Sequence, residues 1–319
     1  MGSFAKSHLR GVDLAIKDDS LPHWTFDADE VSAGVYLVTG TDASGRCIEK
    51  KGTDPDALLV ECRQAAALMG AATVSSESMS DSIQSLSDVL AAAGPRPTPN
   101  SSGKGAYATR FANASAILVA NALRPHFPGI KPDPSGKGVE SPSRAVRGLK
   151  KLDVNYSTPQ AGLGLGISLK SVHSRDKNPT HRFHHNMKRN DEELRVEASG
   201  YHQRQPYAVL VAVLFLPVEA CEDGDESKPS SFGKWVEYLW PLGGRDDPHD
   251  AFDRFERVYV ALYDPEDAAL EFFDVKTPPP RTGRPAKTLS FDTFVDDVVE
   301  AYARRNQLDF RWSGVTDDA

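Results

Sequence analysis

Cysteine is scarce in this 319-residue chain, with Cys47, Cys62 and Cys221 the only three. An odd, widely spaced set builds neither a disulfide framework nor a four-thiolate zinc site. Long apolar runs are missing as well. The longest, residues 208–216 before Pro217, falls well short of the roughly 20 residues a membrane helix needs. No apolar stretch of signal-peptide type stands among the first twenty residues, which carry Lys6, Arg10, Lys17, Asp18 and Asp19. The expected compartment is therefore the cytoplasm, with no membrane partner. A hydrophobic share of 39% with 26% charged residues excludes a collagenous, coiled-coil or wholly disordered chain and leaves an ordinary globular one.

An excess of positive charge is also missing overall, since the net charge is −8. That average hides an asymmetry. Residues 101–210 hold 17 Lys and Arg against 8 Asp and Glu, and six of the nine His, while both flanks are acidic. A basic island between acidic flanks suits either a phosphate-facing groove or a solvated face.

The order of elements is legible from periodicity. Residues 34–39 alternate, a turn follows around Asp42, and residues 46–50 read as the return strand of a hairpin. Apolar residues recur at helical spacing over 54–72 and again over 81–92. The Pro, Ser and Gly content of residues 94–105 predicts a linker, so we expect an N-terminal module over 1–100, serving recognition or dimerisation, and an α/β domain over 101–319. In the second part, residues 106–123 predict a buried helix, and Ser141-Pro142 predicts the start of a shorter one reaching Lys151. Strands are expected over 152–157, 162–172 and 207–216, the last buried on both faces. Residues 187–204 predict a helix that Pro206 ends. Two further strands (257–263 and 270–275), a helix capped by Ser290 and a mobile acidic loop over 219–231 complete the reading.

Chemistry concentrates in the basic island. Asp153 stands on the first expected strand and Lys170 on the next, within Gly166-Ile167-Ser168-Leu169-Lys170. Alternation puts Ser168 and Lys170 on one face and Ile167 and Leu169 on the other, so a polar face can meet Asp153. Phosphodiester hydrolysis uses acids to hold a divalent cation and a cation to position water and stabilise charge at phosphorus.

Asp153, Ser168-Leu169-Lys170, the helix and the buried strand together resemble the PD-(D/E)XK nuclease superfamily over about a third of the chain. The resemblance implies a mixed central sheet flanked by helices, a restriction endonuclease-like core. It also implies Mg²⁺ and products with 5′-phosphate and 3′-hydroxyl ends. Two positions depart from the pattern: Leu152 stands where proline is usual, and Ser168 stands where the second acid is usual. In Ser-x-Lys members a glutamate on the following helix supplies that ligand. Glu193 and Glu197 are both offered here, four apart on one helical face. Glu197-x-x-x-Tyr201 also resembles the Gln-x-x-x-Tyr signature of the RecB-type branch.

The expected function is thus a Mg²⁺-dependent endonuclease on double-stranded DNA, in restriction or phage defence. Asp153 with Glu197 or Glu193 would bind the metal, Lys170 would orient water, and Ser168 would support them. Arg189, His202 and Arg204 are candidate DNA contacts, as are Arg281 and Arg284 of an AT-hook-like Arg-Thr-Gly-Arg-Pro. Glu140 is a further nearby acid. His173, His181, His184 and His185 lack zinc-ligand spacing and are expected near phosphates. The glycines at 162, 164 and 166 do not open a helix, and Ser102-Gly103-Lys104-Gly105 lacks the phosphate-loop pattern. The missing acid at 168 equally suits a catalytically silent DNA-binding subunit on the same scaffold. Cutting both strands would favour a homodimer. A third reading is an interaction protein whose basic segment meets an acidic partner.

Overall fold

The computed structural model describes residues 16–17, 21, 23–42, 45–68, 83–98, 103–175, 182–184 and 186–306. Chain contacts divide it into two compact units, residues 1–77 with 158–162, and residues 78–157 with 163–319.

The first unit is a four-stranded antiparallel sheet in the order β1 (Ile16–Lys17), β2 (Trp24–Ser32), β3 (Val35–Asp42), β4 (Cys47–Gly52). Helix α1 (Pro55–Leu68) packs on β3 and β4. Asp54 starts that helix by accepting from the Asp56 and Ala57 amides, which satisfies donors that have no intrahelical partner. Trp24, Phe26, Val38, Ile48, Leu58 and Cys62 form the core. The expected hairpin is β3 and β4; β2, which pairs with β3 from the other side, was not expected.

The second unit is built on a mixed five-stranded sheet, in the order β11-β10-β9-β8-β7. Its strands are β7 (Val154–Thr158), β8 (Gly162–Ser171), β9 (Val209–Pro217), β10 (Arg257–Tyr263) and β11 (Leu270–Asp274). β8, β9 and β10 are mutually parallel, and β11 is antiparallel to β10. Every residue of β9 is buried because both faces of the sheet are covered. Val209, Val211, Val213 and Phe215 join a core with α2 (Leu86–Ala93), α3 (Lys104–Leu123) and α6 (Phe291–Arg305). Leu210, Ala212, Leu214 and Leu216 join a second core with α4 (Met187–His202) and α5 (Ser231–Leu239). Ser290 caps α6 by accepting from the Thr293 amide, as expected. No described helix is long and apolar enough to cross a membrane.

Several expectations are corrected. The helix expected from Ser141 to Lys151 is a two-stranded hairpin, β5 (Ser141–Ala145) and β6 (Gly148–Leu152). Ser141, Ser143 and Ala145 alternate inward, and Gly148 takes φ 107° at the turn, a region that glycine enters without steric cost. Asp153 lies in the bend between β6 and β7 instead of on a strand. The expected linker over 94–105 falls inside the second unit. Helix α2 packs on α3, Arg110 Nε donates to Ala93 O and Arg96 Nε donates to His173 O. The acidic stretch 219–231 is fastened: a 3-10 turn (Val218–Cys221) buries Ala220 and Cys221, and Asp223 accepts from Ser231 N at 2.6 Å and Ser231 Oγ at 2.5 Å.

Candidate active site

Strand alternation divides β8 as expected. Leu165, Ile167 and Leu169 enter the core under α3 and α6, so Ser168 and Lys170 take the other face, toward α4. Gly166 lets the segment before Asp153 come close, since a Cβ there would stand 2.8 Å from Leu152 Cδ1. Asp153 then turns back on β8, and its Oδ2 accepts from the Leu169 amide at 2.6 Å. From the helix side, Glu197 Oε1 accepts the Ser168 hydroxyl proton. Glu193 Oε2 lies 3.4 Å from Lys170 Nζ. Three consecutive residues of one strand therefore gather an acid from the preceding bend and two acids from the following helix.

The two glutamates have different surroundings. Glu193 Oε1 accepts from Arg189 Nε at 2.6 Å, and that bond, aided by Lys170, holds its carboxyl below the usual range. Glu197 is pushed up by burial, which the Ser168 hydroxyl, Lys170 and Lys150 only partly offset and the Asp153 charge reinforces. Asp153 is also raised, first by burial, against the Leu169 amide and Lys170 and with a further push from Glu140. Tyr201, one turn beyond Glu197, is fully buried with no hydrogen-bond partner for its hydroxyl. Its proton is held more tightly by burial and by the charges of Glu197 and Asp153.

Two desolvated carboxylates in mutual electrostatic range, each with an oxygen outside its protein bond, fit a hard divalent cation. Magnesium keeps several waters and is commonly held by one or two carboxylates together with substrate phosphate. Asp153 and Glu197 would hold it, whereas Glu193 is already engaged by Arg189 and Lys170. Among the described residues, no three His, Cys, Asp or Glu side chains are grouped to hold a metal by themselves.

The remaining candidates fall elsewhere. Arg189 and Arg204 are exposed on and after α4. His202 is corrected as a DNA contact: it is wholly buried, with Nε2 3.3 Å from Glu256 Oε2 and Nδ1 3.2 Å from Phe252 O. Arg281 Nη2 donates to Ser227 O and Arg284 Nη2 to Asp264 Oδ2, so this loop is tied down on its own domain. Glu140 pairs with Lys151 at 2.8 Å. His173 is a core residue, bonded through Nδ1 to the Tyr263 hydroxyl at 2.9 Å. Burial, then Arg96, lowers its pKa to about 3. His181 and His185 lie outside the described residues. Sequence reasoning gave Lys150 no part in the site; it reaches across α4 to Val196 O at 2.8 Å. Gly200 was the available signal, because a Cβ there would stand 2.9 Å from Lys150 Nζ.

No family model matches the chain, and no curated protein or solved structure matches it.

Proposed function

We propose that the second unit is a Mg²⁺-dependent endonuclease that hydrolyses phosphodiesters of double-stranded DNA, in restriction or phage defence. What carries the reading is the gathering of Asp153, Lys170 and Glu197 around Ser168-Leu169-Lys170, with the Leu169 amide and the Ser168 hydroxyl each holding one acid. When bound, the metal supplies Lewis acidity at the scissile phosphate and lowers the pKa of water. Asp153 and Glu197 are the ligands in this proposal. Their raised proton affinity is the expected consequence of two acids placed together out of water. Lys170 stands beside them with its ammonium 3.4 Å from Glu193. From there it orients the attacking water and opposes charge building on phosphorus. Glu193 positions Lys170, and Ser168 positions Glu197.

A catalytically silent DNA-binding subunit is the second reading, favoured by the fact that both acids already accept bonds from the chain. One assay separates the two. Purified protein is incubated with plasmid and phage DNA in Mg²⁺ or EDTA, alongside Lys170→Ala. Metal-dependent cutting that falls by about 10²–10³-fold in the variant, with DNA binding retained, is the expected result. Full metal-dependent cutting by Lys170→Ala removes the assignment. Salt-sensitive binding without cutting by the wild type selects the silent subunit.

A further inference from the structure

A second polar centre lies at the amino end of β10 and the last turn of α6. A cavity of about 200 Å³ there is lined by Arg245, Arg257, Arg304 and Arg305 against two acids, Asp246 and Glu256. It shares no residue with the Asp153–Lys170 group.

One of the two acids is already neutralised from within. Glu256 is buried and takes Arg245 Nη1 at 2.6 Å and the Leu210 amide at 2.7 Å, with Arg305 Nη1 at 3.1 Å. Arg245 spends its Nη2 on Pro206 O and Pro248 O, but its Nε, in a side chain wholly out of solvent, has no acceptor. A buried N–H without an acceptor carries its full desolvation cost. The outer arginines are loosely engaged. Arg304 has only Glu300 of its own helix, at 3.6 Å, and Arg257 sits 3.4 Å from Asp297 and 3.7 Å from Asp246. Complementing the α6 dipole accounts for cations at 304 and 305, but not for those at 245 and 257.

Four cations facing two acids leave an excess of two positive charges. Guanidinium forks match the paired oxygens of a tetrahedral oxyanion. The volume lies below the roughly 300–1,000 Å³ of pockets for drug-sized ligands, which selects a small anion over a whole nucleotide or a duplex. We infer that this cavity is a binding site for a phosphate-type dianion, as free phosphate, as pyrophosphate or as the phosphate head of a small metabolite.

The test is thermal unfolding of the full chain with inorganic phosphate against chloride at matched ionic strength, and calorimetric titration with pyrophosphate. The expected result is saturable one-site binding, with a melting temperature that climbs with ligand concentration by linkage. Arg304 is half exposed, so Arg304→Ala and Arg304→Glu should fold normally, keep the unliganded melting temperature and bind at least tenfold more weakly. Lys234→Ala, which removes a surface lysine paired with Glu237, should bind like the wild type. The inference is overturned by the absence of saturable binding, by an equal shift from chloride, or by undiminished affinity in Arg304→Glu. Arg304-dependent binding of duplex DNA without binding of free phosphate would overturn it too.

Discussion

Glu197 and Glu256 are both glutamates withdrawn from water beside cations, yet their proton affinities move in opposite directions. Burial pushes Glu256 up, but His202, the Leu210 amide and Arg245 outweigh it and leave the carboxyl below its usual value. For Glu197 burial wins, because Ser168, Lys170 and Lys150 offset it only in part and Asp153 adds a like charge. In one shell every charge is answered by the chain. In the other, negative charge is left over. A domain of ordinary stability keeps leftover buried charge where a ligand answers it, which is why perturbed acids mark candidate sites.

The linkage signs differ accordingly. Glu256, depressed, stabilises the fold above the ordinary glutamate range, and that contribution is lost as pH falls through its folded value. Asp153 and Glu197, raised, favour the fold most when protonated. Their contribution is lost as pH rises from the ordinary carboxylate value through the folded one.

The largest effect that sharpens this contrast is expected from Glu256→Ala. It leaves Arg245 and Arg305 buried without their anion and should cost about 3–5 kcal/mol, read by denaturant unfolding. A loss under about 1 kcal/mol would mean that water already screens the network. Next comes Glu197→Gln, which keeps an acceptor for Ser168 while removing the leftover charge. Metal-dependent cleavage should fall by about 10²-fold or more while the melting temperature rises. A lower melting temperature would place Glu197 with Glu256 as a purely structural acid. Third, cleavage in saturating DNA should increase with pH above the usual carboxylate range, because both raised acids must ionise to hold the cation. A rate that is flat from acid to neutral pH would break the link between those acids and the metal. The smallest effect belongs to Glu193→Gln. Its carboxyl is partly exposed between Arg189 and Lys170, so the stability change should be about 0.2–1 kcal/mol, with metal affinity in a calorimetric titration unchanged.

The legible parts of the fold are those with strong local periodicity. The apolar run 208–216 became a strand buried on both faces, and the alternation of β8 put Ser168 and Lys170 on the polar face. The helix carrying Glu193 and Glu197 fell where its composition predicted. The hairpin at 141–152 misled because Ser141-Pro142 is locally a helix start. Its strand identity comes from pairing Ser141 with Leu152 and Pro142 with Lys151, which no local window contains. His202 misled for a related reason. A histidine at a helix end reads as exposed until Glu256, more than fifty positions later, arrives to bury it.

The sequence by itself determined the sheet-forming segments, the polar face of β8 and the candidates Asp153, Lys170, Glu193 and Glu197, because alternation and helical spacing are properties of consecutive residues. Tertiary structure alone decided which glutamate meets Ser168 and which meets Lys170, and that His173 and His202 are core residues. It also decided that four arginines, dispersed over sixty positions, face one cavity. Burial and charge balance depend on what packs from distant elements, and those distances exist only once the chain has folded.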